Sequence, residues 1–191
     1  MNLKQFFQGR VTGVVLSVSG GLGILAAMQL ALDQLHLLED PGFVPVCSIN
    51  QTVSCTPVIE SWQSSVFGFP NSYLGLVSFA MILAVGVALI GKVKFPRWYM
   101  LIFNLGTLGG FIMVHWLAGS VMFDIGKLCL WCVLVWICTG ASFVYTLAYN
   151  FAEDNLRLGS QKFRDAFVEN QLSILLAWYL LMAGLIAWKL F

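Results

Sequence analysis

Residues 128–150 read LCLWCVLVWICTGASFVYTLAYN, a continuous segment without Asp, Glu, Lys or Arg. A helix needs about 20 predominantly apolar residues to cross the hydrocarbon core of a bilayer. The segment therefore predicts a membrane-spanning helix. Near its start stand two cysteines, Cys129 and Cys132, so the sequence combines a membrane span with a closely spaced pair of thiols.

The composition of the whole chain extends this prediction. The 191 residues are 59% hydrophobic and only 10% charged, whereas a soluble domain carries about 25% charged residues. Spanning strands would alternate apolar and polar residues, which these segments do not do. We therefore predict an all-α integral membrane protein forming a single membrane domain over residues 1–191. The other expected spans lie near residues 11–35, 71–91, 98–119 and 171–190.

Basic residues predict the orientation of these spans. Eight of the ten Lys and Arg residues precede the first span or lie in the loops after the second and fourth spans. Cytoplasmic loops carry such an excess of positive charge. We therefore expect a cytoplasmic N-terminus, an extracytoplasmic C-terminus and an extracytoplasmic loop over residues 36–70. The net charge of +1 predicts no basic surface for nucleic acid.

Four of the five cysteines fall in two pairs on the expected outer side. One pair bounds the loop sequence CSINQTVSC, from Cys47 to Cys55. The other pair is Cys129 and Cys132, which share a helix face and can form a disulfide with little backbone movement. A helix N-terminus also favours a thiolate. Lys127 is either a membrane-edge charge that extends to the interface, which we expect, or a cation that adds to this effect.

Three interpretations of the two pairs stay open on these grounds. They can be two structural disulfides in an oxidising compartment. They can form a four-cysteine zinc site, although the wide first pair and the lipid make us expect no metal. They can also be a relay that carries electrons from a soluble thiol to a lipid-soluble acceptor. The fifth cysteine, Cys138, is expected to be a packing residue.

The loop after Cys55 carries apolar residues at spacings of three and four, which predict a short amphipathic helix up to about Val66. Its Trp62 is expected to anchor the membrane interface, and the helix forms either an interfacial belt or a lid over an apolar pocket. Asn71 and Ser72 begin the second span, where each can cap the helix. Alternatively, the amide of Asn71 can donate to a ligand carbonyl.

Three ionisable residues fall inside or at the end of predicted spans. His115 is expected to make an interhelical hydrogen bond. Asp33 and His36 lie near the outer end of the first span and can relay a proton, but we expect both to be solvated.

Together, these motifs resemble the vitamin K epoxide reductase family, including its bacterial disulfide-forming members. The resemblance covers roughly residues 11–150. It implies a four-helix bundle around a quinone, capped by a loop half-helix, to which the fifth span is added. The motifs that carry it are the Cys47 and Cys55 pair, VIES at 58–61, FGF at 67–69, NSYLG at 71–75 and CLWC at 129–132.

The resemblance also implies roles for individual residues. Cys129 and Cys132 correspond to the active-site pair, with Cys132 facing the quinone. Cys47 and Cys55 correspond to the pair that receives electrons from a thioredoxin-fold thiol oxidase. The implied quinone is menaquinone, ubiquinone or vitamin K. The implied quinone-binding residues are Ser61, Phe67, Asn71 and Trp136.

Two departures from the family pattern shape the expected function. Vertebrate members have a tyrosine where this chain has Trp136, which disfavours epoxide reduction more than quinone reduction. Many bacterial members continue into a thioredoxin-like domain, whereas this sequence stops at Phe191, so we expect a separate partner. The fifth span favours a bacterial inner or plasma membrane. The alternatives are a vitamin K epoxide reductase proper, or a non-enzymatic scaffold or small transporter with structural disulfides.

Overall fold

In a computed structural model, which describes residues 3–40 and 42–190 of the chain, all extended regular structure is helical. The side chains of residues 3–6 and 190, Lys4 among them, lie outside the described part. Five helices are long and apolar enough to cross a membrane, which confirms the predicted all-α membrane fold. They are α1 (Leu3–Glu39), α3 (Asn71–Ile90), α4 (Arg97–Ser120), α5 (Leu130–Ala152) and α6 (Gln161–Leu190), and the short α2 (Thr56–Glu60) lies between the first two.

The helices α1 and α5 form the centre of the bundle. The helix α3 packs on α1, whereas α4 and α6 pack on α5. One core cluster joins the four helices α1, α3, α4 and α5. In the apolar window of α5, 50% of the residues are buried, against 11% in that of α6, so α6 is a peripheral addition to the four-helix core.

The long helices extend beyond the spans expected from hydropathy. The helix α1 starts before residue 11 and continues to Glu39, and α6 begins at Gln161 rather than near 171. The hydroxyl of Ser160 caps α6 by accepting a hydrogen bond from the backbone N–H of Phe163 at 3.2 Å. Mean hydropathy marks only the apolar part of a helix. The polar first turn of α6 and its cap residue are hydrophilic, so the predicted span does not include them.

A partly buried histidine connects α6 to α4. Trp178 Nε1 donates to His115 Nε2 at 2.9 Å, while His115 Nδ1 lies 2.7 Å from the carbonyl oxygen of Phe111. Since a carbonyl only accepts, Nδ1 carries the proton and Nε2 is the acceptor. This arrangement confirms the expected interhelical hydrogen bond of His115.

The predicted amphipathic helix of the outer loop is interrupted. The helix α2 ends at Glu60, Ser61 is extended, and a 3-10 helix follows over Trp62–Ser65. The hydroxyl of Ser61 donates to the carbonyl oxygen of Val58 at 2.7 Å, and that of Ser64 donates to the carbonyl oxygen of Ile59 at 2.6 Å. Serine side chains that bond to backbone carbonyls compete with helical hydrogen bonding, which accounts for the break.

Candidate active site

The outer loop is attached by its backbone to the start of α5. The N–H of Ser54 donates to the carbonyl oxygen of Leu128 at 3.0 Å, and the N–H of Leu128 donates to that of Thr52 at 2.8 Å. The ammonium group of Lys127 donates to the carbonyl oxygen of Gln51. Lys127 therefore holds the loop in place, and these bonds bring the two cysteine pairs together.

Polar side chains shape the loop between its two cysteines. Asn50 Oδ1 accepts from the N–H groups of Thr52 and Val53 at 2.9 and 2.7 Å, which makes a tight turn. Ser48 Oγ accepts from the N–H of Cys55 at 3.2 Å. The turn and this bond return the chain to Cys47, with which Cys55 forms a disulfide. Two cysteines joined in a disulfide cannot supply thiolates to zinc, so the Cys47–Cys55 bond argues against a metal site made of all four cysteines.

The sulfur atoms of the two pairs are in contact. Cys55 Sγ lies 3.1 Å from Cys129 Sγ. Cys129 and Cys132 are free thiols, and both Cys55 and Cys129 are fully buried. Reacting atoms held about 3–3.5 Å apart are close to an attacking geometry. The arrangement allows thiol–disulfide exchange between the pairs, which two separate structural disulfides would not need.

Cys129 is the N-cap residue of α5. Its backbone is extended, and its sulfur accepts a hydrogen bond from the N–H of Cys132 at 3.3 Å. A side-chain hydrogen bond from Cys132, together with the N–H groups of Cys132 and Trp131, holds the pKa of Cys129 below its ordinary value, although burial opposes this effect. Hydrogen bonds to the charged form lower a pKa in this way. Cys129 therefore favours the thiolate more than an ordinary buried cysteine does.

A mostly apolar cavity of about 130 Å³ lies on the other side of Cys132. Segments after Cys55, namely α2 and the 3-10 helix, form part of its wall. The helices α1, α3, α4 and α5 and the π-helical turn Val121–Ile125 after α4 supply the rest. It brings together Cys132 and three of the four residues expected to bind quinone: Ser61, Asn71 and Trp136. Further lining residues that sequence analysis did not select include Gln34, Gln63, Ser72 and Ser120.

Phe67 does not line this cavity. Its side chain is 56% exposed and its ring stacks on Phe69, with centroids 6.2 Å apart. The residue follows the end of the 3-10 helix, in a turn closed by a hydrogen bond from the N–H of Gly68 to the carbonyl oxygen of Ser65. This turn separates Phe67 from the residues that line the cavity, so the structure does not support the expected contact with quinone.

The structure gives Asn71 and Ser72 no capping bond. The N-cap position of α3 belongs to Pro70, and no side chain there makes a capping hydrogen bond. Instead, Asn71 Nδ2 donates to the carbonyl oxygen of Gln63 at 2.7 Å and holds the 3-10 helix against α3. Asn71 Oδ1 and Ser72 Oγ are buried without a hydrogen-bond partner. The cavity wall therefore contains an acceptor and a hydroxyl that are available to a ligand.

Asp33 is the clearest difference from the sequence analysis. We expected a solvated residue, but Asp33 is 1% exposed. Leu30 and Leu37 on the same helix pack against the cysteines of the outer loop, and such a tertiary contact is not visible in the local sequence. The signal that pointed to Asp33 was its charge within an otherwise apolar span, which is uncommon without a functional reason.

The comparison with known families agrees with this geometry. A model of the Vitamin K epoxide reductase family matches residues 14–147. The chain belongs to this family. A search of curated proteins found no match. The matched range contains all four paired cysteines and every residue that lines the cavity, whereas α6 lies outside it. Membership of the vitamin K epoxide reductase family makes the chain a multi-pass membrane oxidoreductase whose chemistry links thiols to quinones.

Proposed function

We propose that this protein oxidises a thioredoxin-fold thiol protein outside the cytoplasm and passes the electrons to a membrane quinone, which supports disulfide formation. The observation that carries the proposal is the 3.1 Å contact between Cys55 of the disulfide and the thiol Cys129. Cys129 is followed by Cys132, which lines the apolar cavity. The contact joins a loop disulfide to a cavity in one path of sulfur atoms.

The electron path uses two exchange steps. A dithiol of the partner reduces the Cys47–Cys55 disulfide and becomes a disulfide itself. The Cys55 thiolate then attacks Cys129 of a Cys129–Cys132 disulfide and releases the Cys132 thiolate, after which Cys47 displaces Cys129 and restores the Cys47–Cys55 disulfide. The bonds in the structure, with the loop pair oxidised and the α5 pair reduced, match the state that follows this transfer.

The cavity residues suit a quinone head group. A quinone bound there accepts two electrons and two protons, as the thiols of Cys129 and Cys132 join in a disulfide. The hydroxyl of Ser72, buried without a partner, can donate to a carbonyl oxygen of the ring. Asn71 Oδ1, also without a partner, can accept from a quinol hydroxyl. The apolar lining excludes water, and Trp136 is only 4% exposed.

The partner would approach the outer loop at Cys47. Cys47 is 4% exposed, so attack by another protein requires the loop to open. Apolar side chains surround this position: Val46 is 84% exposed and Ile49 is 67% exposed. An exposed apolar surface of this kind is typical of a protein contact. It suits the apolar surface around a thioredoxin-fold dithiol.

The test combines purified protein, a quinone and a reduced thioredoxin-fold protein, with quinone absorbance as the measurement. We expect Cys132→Ala to abolish quinone reduction. In this variant Cys129 can attack Cys55 of the loop disulfide and release the Cys47 thiolate, but no Cys129–Cys132 disulfide can follow. Only Cys47 can then resolve the Cys55–Cys129 bridge, so mass spectrometry of peptides should detect this bridge in part of the chains. Cys138→Ala is the matched control, since Cys138 is a buried core residue that does not line the cavity.

Two further results bear on the same path. Cys47→Ala should keep turnover with dithiothreitol, because a small dithiol needs less opening of the outer loop than a protein does, and lose most turnover with the protein thiol. Full quinone reduction by Cys132→Ala, or an equal loss with both reductants in Cys47→Ala, would contradict the proposed order of the cysteines.

Reduction of an added vitamin K epoxide at a rate similar to that of quinone would support the family's other activity instead.

A further inference from the structure

A buried carboxylic acid lies on α1 within the membrane-spanning part of the chain. Asp33 Oδ1 accepts a hydrogen bond from Gln29 Nε2 at 2.8 Å, whereas Asp33 Oδ2 is buried without a partner. Among the side chains that the structure describes, Asp33 is the only carboxylic acid that is fully buried. An ionisable group buried in this way is costly unless it is paired or has a function. The second oxygen of Asp33 lacks such a pairing.

The position of Asp33 connects it to the reactive cysteines. Leu30 and Leu37, three residues before it and four after it, both pack in the cluster that contains Cys55 and Cys129. Helical residues at these spacings share one face, so Asp33 faces the same cluster. Leu30 also lines the cavity. Asp33 therefore lies on the face of α1 that packs against the reactive cysteines, one turn from a residue of the cavity wall.

The charge of Asp33 acts on Cys129. Hydrogen bonding from Cys132 is the largest influence on the pKa of Cys129 and lowers it, while burial and the negative charge of Asp33 oppose this lowering. Two acidic groups that repel each other in a buried site resist being charged together. A negative charge on Asp33 therefore opposes formation of the Cys129 thiolate.

We infer that Asp33 is the proton acceptor for Cys129 during quinone reduction. As Cys129 Sγ bonds to Cys132 Sγ, two electrons leave the sulfurs and the proton of Cys129 moves to Asp33 Oδ2. Asp33 then releases this proton towards the cavity, while Cys132 supplies the second proton. The two electrons and two protons convert the quinone to quinol. This inference rests on the proposed function and adds a proton path to it.

Other titratable groups near this site are less suited to the role. His36, one turn further along α1, is exposed and its ring packs against Phe43. The facing helix α3 contributes Tyr73, which is 40% exposed, and α2 contributes the exposed Glu60. The ammonium group of Lys127 donates to a loop carbonyl. The first turn of α5 contributes the cysteines themselves.

The test separates an electrostatic role from a structural one by titrating Cys129 directly. The sample is a chain in which Cys47, Cys55 and Cys132 are replaced by serine and Cys138 by alanine, so that thiolate absorbance reports Cys129 alone. We expect Asp33→Asn to lower the titration midpoint, because it removes a negative charge. The substitution keeps the shape of the side chain and the oxygen that accepts from Gln29.

The same substitution is then made in the chain with all its cysteines. Asp33→Asn should slow quinone reduction about 100-fold, the size typical of a lost acid–base group, and Asp33→Glu should recover most of the rate. Glu39→Gln is the control on the same helix, because Glu39 is exposed, and it should change neither the titration nor the rate.

Each outcome decides between specific claims. When the unsubstituted chain reduces quinone, an unchanged midpoint or an unchanged rate in Asp33→Asn overturns the role of Asp33. A lost rate with an unchanged midpoint identifies a structural effect and also overturns it. If the unsubstituted chain reduces no quinone, the proposed function is refuted, and the role of Asp33 as proton acceptor is refuted with it.

Discussion

At the scale of single residues, the start of α5 uses a sulfur atom where a helix usually has an oxygen. Serine or aspartate at the N-cap accepts from the backbone N–H of the second or third helical residue. Here Cys129 accepts from the N–H of Cys132, the third helical residue. Because two residues separate Cys129 from Cys132, a single hydrogen bond both caps the helix and stabilises the Cys129 thiolate.

This arrangement predicts how Cys129 responds to its neighbour. In a chain whose only cysteine is Cys129, alanine at position 132 should give a higher titration midpoint than serine. The serine hydroxyl can still donate to the sulfur, and the alanine cannot. Thiolate absorbance against pH measures the difference. A midpoint that is equal in the two chains would mean that the Cys132 side chain does not lower the pKa of Cys129.

At the scale of helices, the contact between α1 and α3 depends on glycine. A Cβ atom on Gly20 would lie 2.6 Å from the backbone nitrogen of Leu83, and one on Gly86 would lie 2.6 Å from that of Ser17. Backbones that approach this closely need small residues, as is common in membrane helix pairs. The contact places α1, and with it Leu30 and Gln34, beside the cavity.

We therefore expect Gly20→Ala to lower the free energy of unfolding in detergent by about 1–3 kcal/mol, the usual cost of overpacking. Denaturant unfolding followed by circular dichroism measures it. Gly106→Ala in α4 is the control, because nothing lies within 4 Å of the added Cβ atom. If the two variants unfold alike, the close approach of α1 to α3 is not a determinant of stability.

At the scale of the whole molecule, the two ends of the bundle differ in charge. The loops before α4 and before α6 meet at one end, where Arg97 Nε donates to the carbonyl oxygen of Asn155 at 2.8 Å. Arg157 and Arg164 lie in the same region and both pair with Asp154. The cysteine loop lies at the opposite end. This asymmetry is the basis for the proposed orientation, with the basic end in the cytoplasm.

Labelling in intact cells tests that orientation. A membrane-impermeant thiol reagent should modify Gln51→Cys in intact cells, and Leu158→Cys only after lysis, with the unsubstituted chain as the background. Gln51 lies in the exposed outer loop, and Leu158 is 60% exposed at the basic end. The reverse labelling pattern would place the cysteine pairs in the cytoplasm, where a disulfide-forming role is not expected.

Much of the architecture follows from properties that are local along the chain. A run of apolar residues determines a membrane helix wherever it packs, because lipid cannot hydrogen-bond an open backbone. The cysteine spacing and the start of α5 are local in the same way. The element bounds that differ from the prediction are set by side-chain hydrogen bonds. Ser61 interrupts the amphipathic helix of the outer loop, and Ser160 lets α6 begin before the predicted span.

The sequence by itself determined that the chain is helical, has five segments long and apolar enough to cross a membrane, and carries two cysteine pairs near one end of the bundle. Only the tertiary structure decided that Cys55 contacts Cys129, that Phe67 lies outside the cavity and that Asp33 is buried. The hydropathy and charge of a segment decide whether it lies in lipid or in water, so they can be evaluated segment by segment. The contact between Cys55 and Cys129 depends instead on which distant segments meet, and here on the backbone hydrogen bonds between the outer loop and Leu128.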